Sequence, residues 1–151
     1  MKKKRISFLV TFLLVICLLP VEAFAADNQV VYYDDGSYDV ITITVDMKAT
    51  RATGTKTGTI TKDRRNSDGE LEWRASMKAT FTYDGSTSRC TSVDSPSVVI
   101  YDNTWSLDSK SCSKSGNTAT GNITMAKKLL LGSSKAPITL TLSCDKNGNL
   151  S

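Results

Sequence analysis

Strict alternation of apolar and polar side chains marks residues 70–83 as a long β-strand. Apolar residues occupy the odd positions, and charged or hydroxyl-bearing residues occupy the even ones. Because successive side chains of a strand point to opposite faces, this pattern places one face on a core and the other in water. We therefore expect Trp73 and Phe81 to be buried and Glu72 to lie on the wet face.

Other stretches of the chain also predict strands, by the same alternation at 39–49, 119–125 and 138–144, and as short or Thr-rich strands elsewhere. They cover residues 39–49, 54–62, 98–101, 105–110, 119–125 and 138–144. Turn-forming pairs separate several of them, and the Asp-Gly pairs at 68–69 and 84–85 suit hairpin turns. After residue 26 no segment shows an apolar stripe with the 3.6-residue period of a helix. The pattern predicts an all-β fold of seven to eight strands, an antiparallel β-sandwich that is immunoglobulin-like or a flattened barrel.

The first 25 residues have the organisation of a signal peptide. A basic start at residues 2–5 precedes an apolar run at 6–19, and Ala23-Phe24-Ala25 supplies small residues before a cut. We predict cleavage after Ala25, which leaves residues 26–151 as a single secreted domain. The apolar run is shorter than the ~20 residues that span a bilayer, so no transmembrane anchor is expected after cleavage. We predict an extracellular location. Association with the cell wall is compatible with it.

Export changes the meaning of the net charge of +4. Removing residues 1–25 takes away four basic side chains and one acidic one, which leaves 15 basic and 14 acidic side chains. The mature chain is thus almost neutral, and its densest basic spot, Arg64-Arg65, has acidic neighbours. Proteins that bind nucleic acid usually carry a basic face or stripe. A nucleic-acid partner is therefore not expected.

Three cysteines remain after cleavage, and outside the cell two of them should pair. If Asp84-Gly85 forms a two-residue turn, Cys90 lies on the inward face of its strand, and alternation also places Cys144 inward. Cys112 falls on the parity opposite Trp105. Cys90–Cys144 is the favoured disulfide, and the two pairings that include Cys112 stay open.

Residues that carry chemistry are scarce. The chain has no histidine, which removes the Ser-His-Asp and Cys-His nucleophile pairs and the usual zinc sites. Residues 145–149 begin like a calcium-binding loop, but Leu150 stands where that loop needs glycine and no glutamate follows. We expect a polar turn there, no metal, no cofactor and no enzymatic activity.

A contact surface is a better candidate than an active site. Tyr38 lies on the wet parity of its strand, and Trp105 lies near a predicted sheet edge. Two lysines precede three leucines near a predicted hairpin end; core burial is the default for these leucines, but exposed they would form a contact patch. The candidate contact residues are Tyr38, Trp105, Lys127, Lys128, Leu129 and Leu130.

Two stretches resemble small exported β-domain proteins of Gram-positive bacteria, a family with no established activity. They are residues 73–90, which include Phe81-Thr82-Tyr83-Asp84-Gly85, and residues 140–148 at the end of the chain. The resemblance covers about half of the mature chain and supplies no functional residues. It implies a disulfide between Cys90 and Cys144.

These observations lead to two hypotheses of function. The first is a secreted, non-catalytic β-sandwich that binds a cell-envelope component or a protein partner. The alternative is a bacteriocin-like effector that acts on membranes through its lysine and leucine patch. An enzyme would need a cleft that the sequence does not place.

Overall fold

The computed structural model describes residues 28–46 and 54–151, in which nine β-strands occur. The predicted signal peptide, its cleavage point and the end of the strand predicted at 39–49 lie outside these ranges. Nothing helical in the described ranges has the length and apolarity needed to cross a membrane. The strands are β1 (Asn28–Tyr32), β2 (Tyr38–Asp46), β3 (Gly54–Arg65), β4 (Leu71–Tyr83), β5 (Ser88–Val93), β6 (Ser97–Ile100), β7 (Trp105–Ser115), β8 (Thr118–Leu129) and β9 (Gly132–Ser143).

The strands form two antiparallel sheets. Sheet A has the order β1-β2-β3-β4-β5, with β6 also paired to β4, and sheet B has the order β7-β8-β9. Neither sheet closes into a barrel in the part of the chain that the structure describes. The predicted antiparallel β-sandwich is confirmed. Residues 28–46 and 54–151 contain nine strands where seven or eight were expected, because β1 pairs with β2 at the edge of sheet A.

The core lies between the two sheets and follows the alternation predicted for β4. Trp73 and Phe81 are 2% and 0% exposed, whereas Arg74 and Lys78 on the other face are exposed. Fully burying a large apolar side chain contributes about 1.5–3 kcal/mol each. Sheet B supplies the opposing wall with Ala119, Ile123, Met125, Ile138, Leu140 and Leu142.

The turn between β4 and β5 is longer than the predicted two-residue hairpin. Tyr83 pairs with Ser88, so four residues form the loop, and the Asp84 carboxylate accepts the N–H groups of Ser86 and Thr87 at 2.8 and 2.7 Å. Cys90 therefore lies opposite Phe81 and not opposite Ala79. The shift is by two residues, which preserves parity, and Cys90 is buried as predicted.

A β-bulge in β7 changes the predicted direction of Cys112. The register shifts between Leu107 and Ser109, so residues beyond the bulge exchange faces. Cys112 pairs with Gly121, a buried position of β8, and is itself half-buried. The prediction that Cys112 lies on the parity away from the core was wrong, because strand parity holds only up to the bulge.

The last residues of the chain form the polar turn predicted at 145–149. The Asp145 carboxylate accepts the N–H groups of Asn147 and Asn149, each at 2.8 Å, and these hydrogen bonds hold its pKa below the ordinary value. The turn packs on sheet A through Gly148, whose carbonyl accepts from Lys56 Nζ at 2.6 Å. It thereby covers the ring of Tyr83 at one end of the core.

Replacing Gly148 by alanine is expected to destabilise the fold more than the same change at Gly116. Both residues have positive φ, +86° and +56°, which costs a non-glycine residue about 1–3 kcal/mol. A Cβ at Gly148 would lie 2.6 Å from the Tyr83 ring, whereas one at Gly116 would meet nothing within 4 Å. Urea unfolding of both variants measures the difference, and equal losses would show that the contact with Tyr83 does not matter.

Cys90 and Cys144 both hydrogen-bond to the turn between β7 and β8. The N–H of Cys90 donates to the carbonyl of Gly116 at 2.8 Å, and the N–H of Cys144 donates to that of Asn117 at 3.1 Å. Both are buried thiols in the structure, and burial raises the pKa of each. The disulfide between them stays a prediction, which this shared turn favours.

Alkylation of denatured residues 26–151 without reductant is expected to label one thiol, because the predicted bridge leaves only Cys112. The Cys112→Ser variant should take up no label. Reduction should lower the free energy of unfolding by about 3–4 kcal/mol, since the bridge closes a loop of about fifty residues. Intact-mass measurement gives the count. Three labelled thiols would contradict the bridge, and peptide mapping of a single label to Cys90 or Cys144 would place Cys112 in it instead.

Candidate functional site

The inner face of sheet A changes from apolar to charged toward one end. In the middle of the sheet Ile43 pairs with Ile60. Two residues further on, Ile41 pairs with Lys62, and in the next row Asp39 pairs with Arg64. Since these residues keep the parity of the core, their charges point between the sheets and not into solvent.

Asp39 is the centre of this charged end. Its side chain is 3% exposed and has three donors around it: the Tyr33 hydroxyl at 2.6 Å, Lys62 Nζ at 3.0 Å and Arg64 Nη1 at 3.3 Å. A buried carboxylate without such partners would lose the solvation that keeps it charged. The two cations and the phenol therefore hold an ionised carboxylate inside the sandwich.

Arg64 ties this carboxylate to the loop that precedes β2. Its Nη2 donates to Ser37 Oγ at 2.8 Å, and its guanidinium carbon lies 4.1 Å from the centre of the Tyr33 ring. Burial raises the pKa of the Tyr33 phenol, and the hydrogen bond to Asp39 raises it further. The phenol therefore stays protonated as a donor at physiological pH.

Glu72 is buried, although its parity in β4 predicted a position on the wet face. The register between β3 and β4 shifts at this point, so Arg64 pairs with Trp73 and Arg65 pairs with Leu71. Glu72 is the extra residue of this bulge, and a bulge re-aims side chains. Its carboxylate lies 3.2 Å from Lys127 Nζ and 3.7 Å from Arg64 Nε. The prediction was wrong because the bulge depends on pairing with β3, which alternation within β4 does not show.

Two tryptophans, one from each sheet, meet beside these charges. The rings of Trp73 and Trp105 pack edge to face with centroids 6.1 Å apart, and Lys127 Nζ lies 5.1 Å from the Trp105 centroid. Both indoles are almost completely buried. Neither indole N–H has a hydrogen-bond partner among the described residues. A buried donor left without an acceptor costs about 1–3 kcal/mol.

A cleft of about 220 Å³ opens between these residues. One wall is charged and aromatic, and the other is formed by apolar residues of β9. The lining residues are Tyr33, Asp39, Lys62, Arg64, Trp73, Trp105, Ala136, Pro137 and Ile138. Within residues 28–46 and 54–151 no three His, Cys, Asp or Glu side chains lie close enough together to hold a metal ion.

The structure brings together only some of the predicted contact residues. Trp105 is buried in the cleft wall beside Lys127 and does not form an exposed platform. Tyr38 stacks on Tyr32 with ring centroids 5.5 Å apart, on the parity that faces away from the cleft. Lys128, Leu129 and Leu130 lie at the end of the β8–β9 hairpin and are exposed.

Sequence reasoning missed the charged half of the cleft, although a signal for it was present. Asp39 has the parity of Ile41, and Lys62 and Arg64 have the parity of Ile60, so all three charges fall on inward positions. Charged residues at inward positions are almost never buried unless they are paired. Complementary charges on adjacent inward rows would have predicted the cluster.

Comparisons with known proteins name no ligand for this cleft. No protein-family model matches the chain, and no curated protein matches it. Among solved structures, the chain is similar to the 2.75 Å crystal structure of a hypothetical protein from Listeria monocytogenes EGD-e. The TM-score is 0.44 at 17% sequence identity, and the match covers 83% of this chain and 99% of that one.

Replacing Asp39 by asparagine is expected to lower the free energy of unfolding by about 3 kcal/mol, because it leaves Lys62 and Arg64 without their buried counter-ion. Asp108→Asn is the matched control, since Asp108 pairs with Lys135 at 3.0 Å on the surface, where side-chain exposures are 38% and 66%. That change should cost about 0–1 kcal/mol. Urea unfolding compares the two. Similar small losses would mean that the Asp39 cluster is solvated like a surface pair.

Proposed function

We propose that the protein is an exported, non-catalytic β-sandwich that binds the cell envelope through the end of its β8–β9 hairpin. The hairpin tip, residues 128–132, is the contact surface, and the anionic headgroup layer of a membrane is the surface it contacts. The support comes from the exposure of the tip, its position in the sheet and its charge.

The exposure of two leucines at the apex is the observation that carries this proposal. Leu129 pairs with Gly132, so Leu130 and Leu131 are the two turn residues. Leu130 is fully exposed and Leu131 is 93% exposed. Two-residue hairpin turns favour Gly, Asn and Asp for their backbone geometry, and leucine adds nothing there locally. Neighbouring exposed leucines at such a turn are typical of a surface that is covered when it functions.

The position of the tip makes it accessible to a flat surface. β7 begins at Trp105, which pairs with Lys127. From Leu129 onward, therefore, no residue of β7 pairs with the hairpin. In the described residues only the two arms of the hairpin pair with each other there. The tip therefore projects past the edge of sheet B.

Basic residues flank the leucines. Lys128 is exposed at the tip, and Lys127 and Lys135 lie on the two arms just behind it. A lysine near an anionic membrane surface contributes about 1 kcal/mol, and burying a leucine side chain contributes about 1.5–3 kcal/mol. Lys127 pairs with Glu72 and Lys135 pairs with Asp108, so Lys128 is the basic residue of the tip without an ion pair among the described residues. Two leucines and one lysine are thus sufficient for weak, reversible attachment and insufficient for permanent insertion.

The charged end of the sandwich favours binding over catalysis. The chain has no histidine to act as a base near neutral pH. The Ser37 hydroxyl is held between Asp35 and Arg64, and Asp39 already accepts from three donors. These groups are fixed by one another, which suits recognition of a ligand better than proton transfer.

A second candidate function rests on the same leucines. An effector that acts on target membranes would also insert an apolar tip flanked by lysines. The two functions differ in outcome, because an envelope-binding module leaves the bilayer intact and an effector makes it leak.

The double variant Leu130→Ser/Leu131→Ser is expected to bind vesicles that contain anionic phospholipid at least tenfold more weakly than the native protein, because it removes the apolar contact. Co-sedimentation of residues 26–151 with the vesicles measures this. Val99→Ser is the control, since Val99 is 47% exposed on β6 and should not affect binding.

Release of a trapped dye during the same titration separates the two functions. Saturable binding without leakage supports the envelope-binding module, and leakage that depends on the two leucines supports the effector. Binding that is absent, or equal in the native protein and the leucine variant, would overturn the proposed contact. Retention on purified cell walls without vesicle binding would support an envelope-binding function but would reject the tip as a membrane contact.

A further inference from the structure

The first strand leaves one of its two sides without a partner strand. Among the described residues β1 is an edge of sheet A and pairs with β2 alone. The N–H of Tyr33, directly after β1, donates to the carbonyl of Ser37 at 2.9 Å. In an antiparallel pair, residues bonded in this way alternate with residues whose N–H and C=O point away from the partner. The backbone groups of Asn28, Val30 and Tyr32 therefore point to the open side of β1.

The other sheet edges carry features that oppose pairing with a further strand. β7 has a bulge, and its residues Lys110 and Lys114 donate to main-chain carbonyls next to β6 and within β5, at the far edge of sheet A. β9 contains Lys135 and Pro137. Lysine, proline and bulges are the features by which natural proteins keep edge strands from pairing. Both edges of sheet B and the far edge of sheet A are thus protected.

β1 has none of these features. Its residues, Asn28–Tyr32, include no charged side chain and no proline, and its pairing with β2 shows no shift of register. Val30 is 43% exposed and Tyr32 is 74% exposed. A regular, uncharged and exposed edge strand is a template for pairing with another strand. The absence of charge on β1 is matched by a partner strand that is also uncharged.

A second copy of β1 meets this requirement and matches the open side group for group. When two copies run antiparallel about Val30, each Val30 lies opposite the other and Asn28 lies opposite Tyr32. Every N–H and C=O of β1 that points to the open side then has a partner in the other copy. A register shifted by two residues would leave such groups unpaired at the strand ends. The strand is therefore self-complementary, as an interface between two identical chains requires.

The side chains of the outer face agree with the same register. Val30 pairs with Val40 of β2, so pairing about Val30 would continue this row of valines into the second copy. Cross-strand pairs of β-branched residues stabilise a sheet, and β1 has no charges that would face each other. The contact is short compared with stable interfaces, which bury ~1,200–2,000 Å². The dimer is therefore expected to be reversible and to form at high protein concentration.

We infer that β1 is a dimerisation edge, at which two copies of the protein pair antiparallel about Val30 and extend sheet A from one copy into the other. This contact is independent of the proposed membrane contact, because the hairpin tip belongs to sheet B. An extended segment of another protein is the competing occupant of the edge.

Exchange of charges at Val30 tests this register, because pairing about Val30 places that residue opposite itself. Residues 26–151 with Cys112→Ser, which excludes dimers linked through that thiol, should change from monomer to dimer in sedimentation velocity as the concentration rises about a hundredfold. Val30→Lys and Val30→Glu should each weaken the dimer about tenfold, because like charges then face each other. An equimolar mixture of the two variants should form a heterodimer.

Two further variants serve as controls. Val99→Lys should leave the dimer unchanged, since Val99 is 47% exposed on β6 at the other side of sheet A. Leu130→Ser/Leu131→Ser should dimerise like the native protein. Monomers at every concentration would overturn the inference and leave the edge to a strand of another protein. A dimer that Val30→Lys does not weaken, or that the leucine variant loses, would also overturn it. The same holds if Val30→Lys and Val30→Glu keep the native circular dichroism spectrum but stay monomeric when mixed.

Discussion

Burial of the Asp39 carboxylate is the constraint around which this end of the sandwich is organised. Its strand, β2, must keep the parity that sends Ile41 and Ile43 into the core, so Asp39 has to point inward as well. An ionised group can stay there only if it is paired and hydrogen-bonded. Lys62 and Arg64 occupy inward positions of the neighbouring strand β3, which places them beside Asp39. The Tyr33 hydroxyl comes from the loop before β2. A slip of one residue in the β2–β3 register would separate these charges and would also expose the isoleucines. The charged and the apolar contacts therefore require the same register.

The bulge at Glu72 connects this charged cluster to sheet B. A regular β4 would send Glu72 into water, but the extra residue turns it toward Arg64 and toward Lys127 of sheet B. The main-chain carbonyl of Glu72 also accepts the N–H groups of Tyr101 and Asp102, which fixes the loop before β7. This places Trp105 against Trp73 and so closes the back of the cleft. A local irregularity of one strand therefore joins the two sheets at the end where the apolar core stops.

The sequence was sufficient to predict side-chain directions that depend on local alternation of apolar and polar residues. It was insufficient to predict those that depend on pairing between strands. The buried positions of β4 and the inward directions of Cys90 and Cys144 followed from period two alone. The directions of Glu72 and Cys112 did not, because each depends on a bulge that appears only when the partner strand is in register. The leucines near the end of β8 illustrate a third case. Their composition suggests burial, yet the turn falls at Leu130 and Leu131, where no other element is present in the described residues to cover them.

Lys127 links the cleft to the hairpin tip. It lies on β8 with the same parity as Met125, which is completely buried, and Leu129, which is half exposed, so one face of this strand runs from the core through the cleft to the tip. Its ammonium contacts Glu72 and the face of Trp105, and both contacts depend on its positive charge. A neutral residue at position 127 would remove both contacts and leave Arg64 Nε, at 3.7 Å, beside the Glu72 carboxylate. Because Glu72 and Lys127 belong to different sheets, the base of the hairpin would then lose its ion pair with sheet A.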